Sequence, residues 1–271
     1  MKSNQPDNMP LPEVDAAETC FKQGVSRLEK GEYAEAEECF RQTHILAPGS
    51  LETILNLGYA LQLQGRPDEA LTCYEEILAI NPGHAKARYN RAVQLLRKGE
   101  LAAGFSDYEA RFAAIREADV RTYTQPRWDG SPLKGKTILL YCEQGLGDAI
   151  QFSRYIPNVV RLGGRVVLEV QQPLVPLLST LPGVEKVVAK SGVPPITDCH
   201  IPLLSLPHIF GTTLDTIPAP IPYLVPDTSK EATWRRMLPG GTVYRIGLVW
   251  RGSATNPMDR DRSCPLTEFA P

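Results

Sequence analysis

Two loops hold the residues whose types could do chemistry. The first, EQGLGD (143–148), follows a short apolar run and combines Glu143 and Asp148 with Gly145 and Gly147. Glycines there let a ligand approach the backbone closely. Asp148 also suits the N-cap of a following helix, with Gln151 three residues on completing a capping-box-like pair. The second loop, RGSATNPMDRDRS (251–263), carries Arg251, Ser253, Asn256, Arg260, Arg262 and Ser263. Guanidinium and hydroxyl groups of this kind could pair with a diphosphate. Asp259 and Asp261 keep its net positive charge small, so a solvated surface loop is the plain alternative. A dinucleotide site requires G-x-G-x-x-G. Gly145 and Gly147 match, but the third position is Ile150, and a lone Glu169 stands where a ribose-binding acid would lie; both points argue against that site.

The elements around the first loop read as alternating strands and helices. TILLYC (137–142), RVVLEV (165–170) and EKVVA (185–189) are apolar runs suited to buried parallel strands. Helical stretches are expected over 148–162 and 173–181. This order predicts the beginning of a doubly wound sheet, with right-handed crossovers placing helices on both faces and the EQGLGD loop at the carboxyl edge where ligands bind. A Pro-rich stretch over 200–212, a helix around 229–238 and a further buried strand, YRIGLVW (244–250), complete the pattern.

The N-terminal part repeats every 34 residues: 17–50, 51–84 and 85–118. Gly24, Gly58 and Ala92 share one column and Gly31, Gly65 and Gly99 a second. Ala36, Ala70 and Gly104 form a third, and Phe40, Tyr74 and Tyr108 a fourth; Pro48 and Pro82 close the first two rows. This is the tetratricopeptide period and pattern. Small residues let two antiparallel helices approach, and the glycine column ends the first helix in a left-handed residue. Proline ends the second helix, and the aromatic column is expected between neighbouring hairpins. The third row departs from the pattern at Arg116 and Arg111, so its last helix either caps the array or docks on the α/β region C-terminal to it, and docking is the favoured expectation. Asn56 and Asn90 share a column that faces the groove of such arrays; stacked asparagines there could bond a peptide backbone. An equal alternative is that asparagine is simply common there. Turn signals in 119–135 predict a short ordered connector, with Trp128 pinned against one domain.

The segments EQGLGDAIQFSRYIP (143–157), LEVQQPLVPLLSTLPGVEKVVA (168–189), CHIPLLSLPHIFGTTLDTIP (199–218) and RIGLVWRGSATNPMDRDRS (245–263) resemble bacterial tetratricopeptide-linked glycosyltransferases, akin to heptosyltransferases and O-linked N-acetylglucosamine transferase. The resemblance implies a GT-B fold of two Rossmann-like lobes, a nucleotide-sugar donor as co-substrate and no cofactor or obligatory metal. It further implies Asp148 as the base, with Glu143 as the fallback, and places Ser205, His208 and Thr212 beside the acceptor. For His208 a structural role at a helix end or in the core is the competing expectation. The Asn56 and Asn90 column resembles the asparagine ladder of the last-named enzyme, broken here by Lys22. The fold expected is therefore α plus α/β: a lead-in over 1–16, repeats over 17–118, a connector over 119–135, a first lobe over 136–240 and the start of a second over 241–271. A complete second lobe would need roughly another 150 residues, so this chain alone is expected not to turn over a nucleotide sugar. A non-catalytic interaction scaffold, with the repeats as its working part, is the alternative.

Bulk properties exclude other classes. A net charge of −2 gives no nucleic-acid or anionic-membrane signature. No apolar run approaches the ~20 residues of a membrane span, and the polar first sixteen residues have no signal core, so a cytoplasmic chain is expected. The six cysteines and four histidines form no metal-ligand spacing, and Cys39 and Cys73 differ by one repeat period.

Overall fold

The structure is a computed structural model and describes residues 11–115, 123–191, 193–238, 240–241, 244–250, 252 and 263–269. Two compact units form, Met1–Val225 and Pro226–Pro271.

The first unit begins with three helical hairpins: α1 (Leu11–Lys30) with α2 (Tyr33–Leu46), α3 (Leu51–Leu63) with α4 (Pro67–Ile80), and α5 (Ala85–Arg97) with α6 (Leu101–Tyr108). Gly31, Gly65 and Gly99 terminate the first helix of each pair at φ 81°, 76° and 82°, the left-handed region that glycine enters without penalty. Helices α2 and α4 stop at Leu46 and Ile80, two residues before Pro48 and Pro82. The small columns set the spacing within each hairpin. A β-carbon on Gly24 would stand 2.7 Å from the Phe40 ring, and one on Gly58 2.7 Å from the Tyr74 ring. Phe40 and Tyr74 thus each fill a hole in their own hairpin. The Tyr74 hydroxyl also reaches the next hairpin, at Asn90. Phe40 and Tyr74 are fully buried, with Ala36 and Ala70 beside them.

After the short helix α7 (Arg111–Ala114), the chain builds a four-stranded parallel sheet: β1 (Thr137–Tyr141), β2 (Arg165–Val170), β3 (Val184–Ala189) and β4 (Cys199–Pro202). Spatial order is β3-β2-β1-β4, with Leu139 opposite Val167 on one side and His200 on the other. Helices α8 (Leu146–Phe152), α9 (Ile156–Arg161), α10 (Val175–Leu178) and α11 (Leu206–Ile209) connect or follow the strands. Side chains alternate faces along a strand. Ile138, Leu140, Val166, Leu168, Val170, Cys199 and Ile201 share one core with Phe152, Ile156, Val159, Leu178 and Leu206. All four helices therefore cover the same face, and the expectation of helices on both faces is corrected. The crossover that should supply the second layer, between β3 and β4, holds no helix among its described residues. The opposite face carries Leu139, Tyr141, Val167, Glu169 and His200. Tyr123 stacks on it, 4.1 Å from the His200 ring and 4.7 Å from the Tyr141 ring.

The connector is part of the sheet's packing. The His200 N–H donates to the Pro126 carbonyl at 3.1 Å, and the Trp128 N–H to the His200 carbonyl at 2.9 Å. These bonds cover the outer edge of β4, which would otherwise offer unpaired backbone groups. Trp128 is buried, donates its indole N–H to the Ser131 carbonyl at 2.8 Å and meets Phe210 edge-on.

The second unit contains α12 (Thr228–Met237), capped by the Asp227 carboxylate. Residues 244–250 form no strand, and Tyr244, Ile246 and Val249 are exposed, correcting the expected buried strand. A parallel strand exists through a ladder of hydrogen bonds to its neighbours, and the backbone bond described for this segment, from the Cys264 N–H to the Trp250 carbonyl at 3.1 Å, does not make one. The expected diphosphate residues Arg251, Ser253, Asn256, Arg260 and Arg262 lie outside the described residues.

Gly58→Ala should destabilise the first unit by about 1–3 kcal/mol through overpacking against Tyr74. Gly65→Ala, in open space but at positive φ, should cost about 1–2 kcal/mol. Urea unfolding checks both; a Gly58→Ala chain as stable as its parent would show that glycine–tyrosine contact does not set the helix spacing.

Candidate functional site

The carboxyl edge of the sheet, where the strand order reverses between β1 and β4, is the place where α/β folds bind ligands. The EQGLGD loop leaves β1 there. Gly145, Leu146 and Gly147 are exposed. Gly145 rather than Asp148 precedes the first turn of α8, and Asp148 occupies its third position. From there Asp148 Oδ2 accepts the Gly145 N–H at 2.9 Å. A carboxylate so placed satisfies one orphan donor of the helix start.

Arg111 of the repeat array enters this edge. Its side chain is 3% exposed. Nε donates to Glu143 Oε1 at 2.9 Å, and one terminal nitrogen donates to the Tyr108 carbonyl at 3.1 Å and Glu109 Oε1 at 2.8 Å. The other donates to Ser205 Oγ at 2.8 Å and lies 2.7 Å from Glu143 Oε1. Glu143 follows β1 and Ser205 follows β4, so the guanidinium spans the point where the strand order reverses. Arg127 from the connector adds a second cation: it donates to Ser205 Oγ at 2.9 Å and pairs with Glu109. The Phe112 ring lies between the two guanidinium groups, 4.1 Å from Arg111 and 4.7 Å from Arg127. Gln144 Nε2 donates to the Tyr108 hydroxyl at 2.8 Å, and Gln171 donates to the Gln144 carbonyl. Apolar contact completes the docking: Phe105 and Tyr108 pack on the sheet core, and Phe105 meets Phe152 edge-on at 6.1 Å.

The two glutamates of the cluster shift in opposite directions. Burial pushes Glu143 above the usual carboxylate range, and Arg111 offsets only part of this. Burial acts the same way on Glu109, but Arg111, Ser205 and Arg127 together outweigh it and hold the carboxyl below its ordinary value. Burial raises Tyr108 to about 12.

The edge does not assemble all the residues expected there. Ser205 is fully buried and donates to Glu109 Oε1 at 2.7 Å, so it belongs to the docking cluster rather than to an acceptor surface. Thr212 is buried and accepts from the Tyr155 hydroxyl at 3.0 Å. His208 is exposed on the last turn of α11, not in the core. Sequence reasoning foresaw docking at Arg111 but missed Glu109 and Arg127. Nothing in their spacing marks them, because their partners lie far along the chain.

On the array, Asn56 and Asn90 are half-buried. Asn56 Nδ2 donates to the Glu52 carbonyl of its own helix at 2.9 Å, and Asn90 bonds the Tyr74 hydroxyl. Beside them lie further half-buried side chains at the same repeat offsets: Phe21, Leu55 and Tyr89, and Val25, Tyr59 and Val93. Helix α3 lies against both α1 and α5, so these positions form one strip. The 34-residue spacing was the signal that could have found them. A cavity of roughly 360 Å³ lies elsewhere, lined by Glu75, Arg91, Leu95, Ala103, Ser106 and Asp107. Its polar wall is spent internally: Asp107 accepts from Arg91 at 2.6 Å and Arg88 at 3.2 Å.

Residues 52–84 match the model of the tetratricopeptide repeat, and the N-terminal helical region is of that type. Among curated proteins, the chain is 29% identical over 241 residues to the protein FlbA of Caulobacter vibrioides, covering 80% of this chain and 40% of that one. It is 30% identical over 108 residues to the tetratricopeptide repeat and J domain-containing co-chaperone DNJ1 of Cryptococcus neoformans, covering 40% of this chain and 20% of that one. The chain thus spans less than half the length of either relative. Among solved structures, the Yersinia enterocolitica type III secretion chaperone SycD with a peptide of the translocator YopD is 24% identical, with a TM-score of 0.35 over 38% of this chain and 79% of that one. The first tetratricopeptide domain of Spaghetti (RPAP3) bound to an HSP90 peptide is 19% identical, with a TM-score of 0.36 over 39% and 83%. No helix among the described residues is long and apolar enough to cross a membrane.

The opposed shifts predict a pH dependence. Glu109, lowered in the folded state, contributes stability that is present above about pH 4.5, its ordinary value, and is lost as pH falls through the lowered value. Glu109→Gln should therefore flatten the acid limb. Thermal melts of both chains from roughly pH 6 to roughly pH 3, a window that brackets the carboxylate range, check this; parallel acid losses would contradict it.

Proposed function

We propose that the chain is a peptide-binding scaffold whose working surface is the inner strip of the repeat array. The observation that carries this reading is the strip itself: three pairs of half-buried apolar side chains, 21/25, 55/59 and 89/93, recurring at one offset with Asn56 and Asn90 beside the last two. Half-buried apolar groups give an extended peptide contact area. Amides that bond their own helix or Tyr74 can exchange those bonds for a peptide backbone at little net cost, since a typical hydrogen bond is worth only ~1 kcal/mol net. The partner class is a protein segment with alternating apolar side chains.

A second reading, glycosyl transfer, is favoured by one feature: the EQGLGD loop leaves the carboxyl edge beside the reversal of strand order. In that reading Asp148, with Glu143 as the fallback, takes the acceptor proton, the repeat strip presents the acceptor, and a nucleotide sugar is the donor, bound with the help of the 251–263 loop.

Fluorescence polarisation against a library of extended peptides tests the scaffold. Binding is expected, and Asn56→Ala with Asn90→Ala should weaken it on the order of tenfold, from two lost hydrogen bonds. A library with no binder, or an unchanged affinity in the double variant, would defeat the peptide-groove reading. For the second reading, the assay is sugar transfer from a panel of nucleotide sugars, and no transfer counts against it. Transfer that Asp148→Asn abolishes would instead make the enzyme reading primary.

A further inference from the structure

We propose that Arg111, supplied by the repeat array, is a positioning residue that holds the Glu143 carboxylate at the carboxyl edge of the sheet, so that this edge is complete only with the array docked. Its purpose rests on the glycosyl-transfer reading; its geometry does not.

Four observations carry it. Arg111 is buried and makes four hydrogen bonds plus a further close approach to Glu143, so its side chain is fixed from every donor. Tyr108, Glu109, Glu143 and Ser205 hold it from the array and from both sides of the strand reversal, and the rings of Tyr108 and Phe112 lie 4.9 Å and 4.1 Å from it. Both contacts to Glu143 go to Oε1, and among the described residues Oε2 accepts no hydrogen bond. Asp148, by contrast, already serves the start of α8 through Oδ2. Of the two carboxylates of the loop, Glu143 is the one whose free oxygen and orientation are set from outside the sheet. A lysine could not do this, because it lacks the planar fork that reaches several acceptors at once.

The charged and titratable groups around Glu143 are Arg111, Tyr108 and Glu109 from the array, Arg127 from the connector, and Tyr141 and Cys142 on its own strand. Burial and Arg111 act on Glu143 in opposite senses, so removing the cation while the array stays docked leaves burial opposed by the weaker influence of Arg127.

The test is carboxyl-carbon NMR of the full chain labelled at glutamate, with the Glu143 signal assigned by its loss in Glu143→Gln. In Arg111→Met the Glu143 titration midpoint should rise by roughly 1–3 pH units, the usual effect of losing an adjacent opposite charge. Ser205→Ala keeps the charge but removes one acceptor that holds the guanidinium, and should give a smaller rise; it carries the test if Arg111→Met does not fold. An unmoved midpoint overturns the proposal. So does a falling one, because Glu143 would then have become solvated as the array came away, leaving Arg111 a structural tie only. No substrate is used, so the glycosyl-transfer reading can fail in its own assay while this result stands, and the reverse.

Discussion

A guanidinium cannot be removed from water without acceptors on all sides. Arg111 meets that demand with groups drawn from three parts of the chain: Tyr108 and Glu109 from the end of the array, Glu143 from the loop after β1, and Ser205 from the turn after β4. Arg127 of the connector closes the same cluster from the other side. Leaving a buried charge without its partner costs on the order of 3–5 kcal/mol, a large share of the stability of an ordinary domain. The cluster therefore ties the last hairpin, the connector and the carboxyl edge together, and Phe105 against Phe152 adds apolar contact beneath it.

This constraint explains why the third repeat departs from its own pattern. In the second hairpin two interior positions are apolar, with Ile54 and Leu57 buried. The corresponding positions in the third are Arg88 and Arg91, which pair with the buried Asp107. These positions thus turn from apolar to charged between the second hairpin and the third, whose final aromatic, Tyr108, packs against the sheet core and bonds Gln144. A repeat array needs a terminal unit that closes its last apolar face. Here the sheet does so.

The sheet, in turn, depends on the connector. With all four helices on one face, the opposite face and the outer edge of β4 need cover from elsewhere. Tyr123 supplies it by stacking on Tyr141 and His200, and residues 126–128 supply it by pairing with β4. The inner strip of the array and the EQGLGD edge consequently belong to one compact unit. A partner held on the array and chemistry at the edge would share a single frame.

The local rules were legible in the residues. The 34-residue columns located every hairpin, the positive φ of Gly31, Gly65 and Gly99 and the helix ends before Pro48 and Pro82, because these depend on steric preferences within a few residues. Three of the four parallel strands, β1, β2 and β3, were legible from short apolar runs for the same reason. The linear pattern left open everything set by groups distant in sequence. It left a helix layer expected on a face where Tyr123 stacks, a strand expected at 244–250 where none forms, Ser205 on a surface it does not reach, and Asp148 at a cap that Gly145 takes. Tertiary structure alone decided that Glu143, Ser205 and Arg127 converge on Arg111. Periodicity reports which way a side chain faces along its own element, whereas the partner of a buried charge is chosen by which elements pack together, and that choice is made across the whole chain.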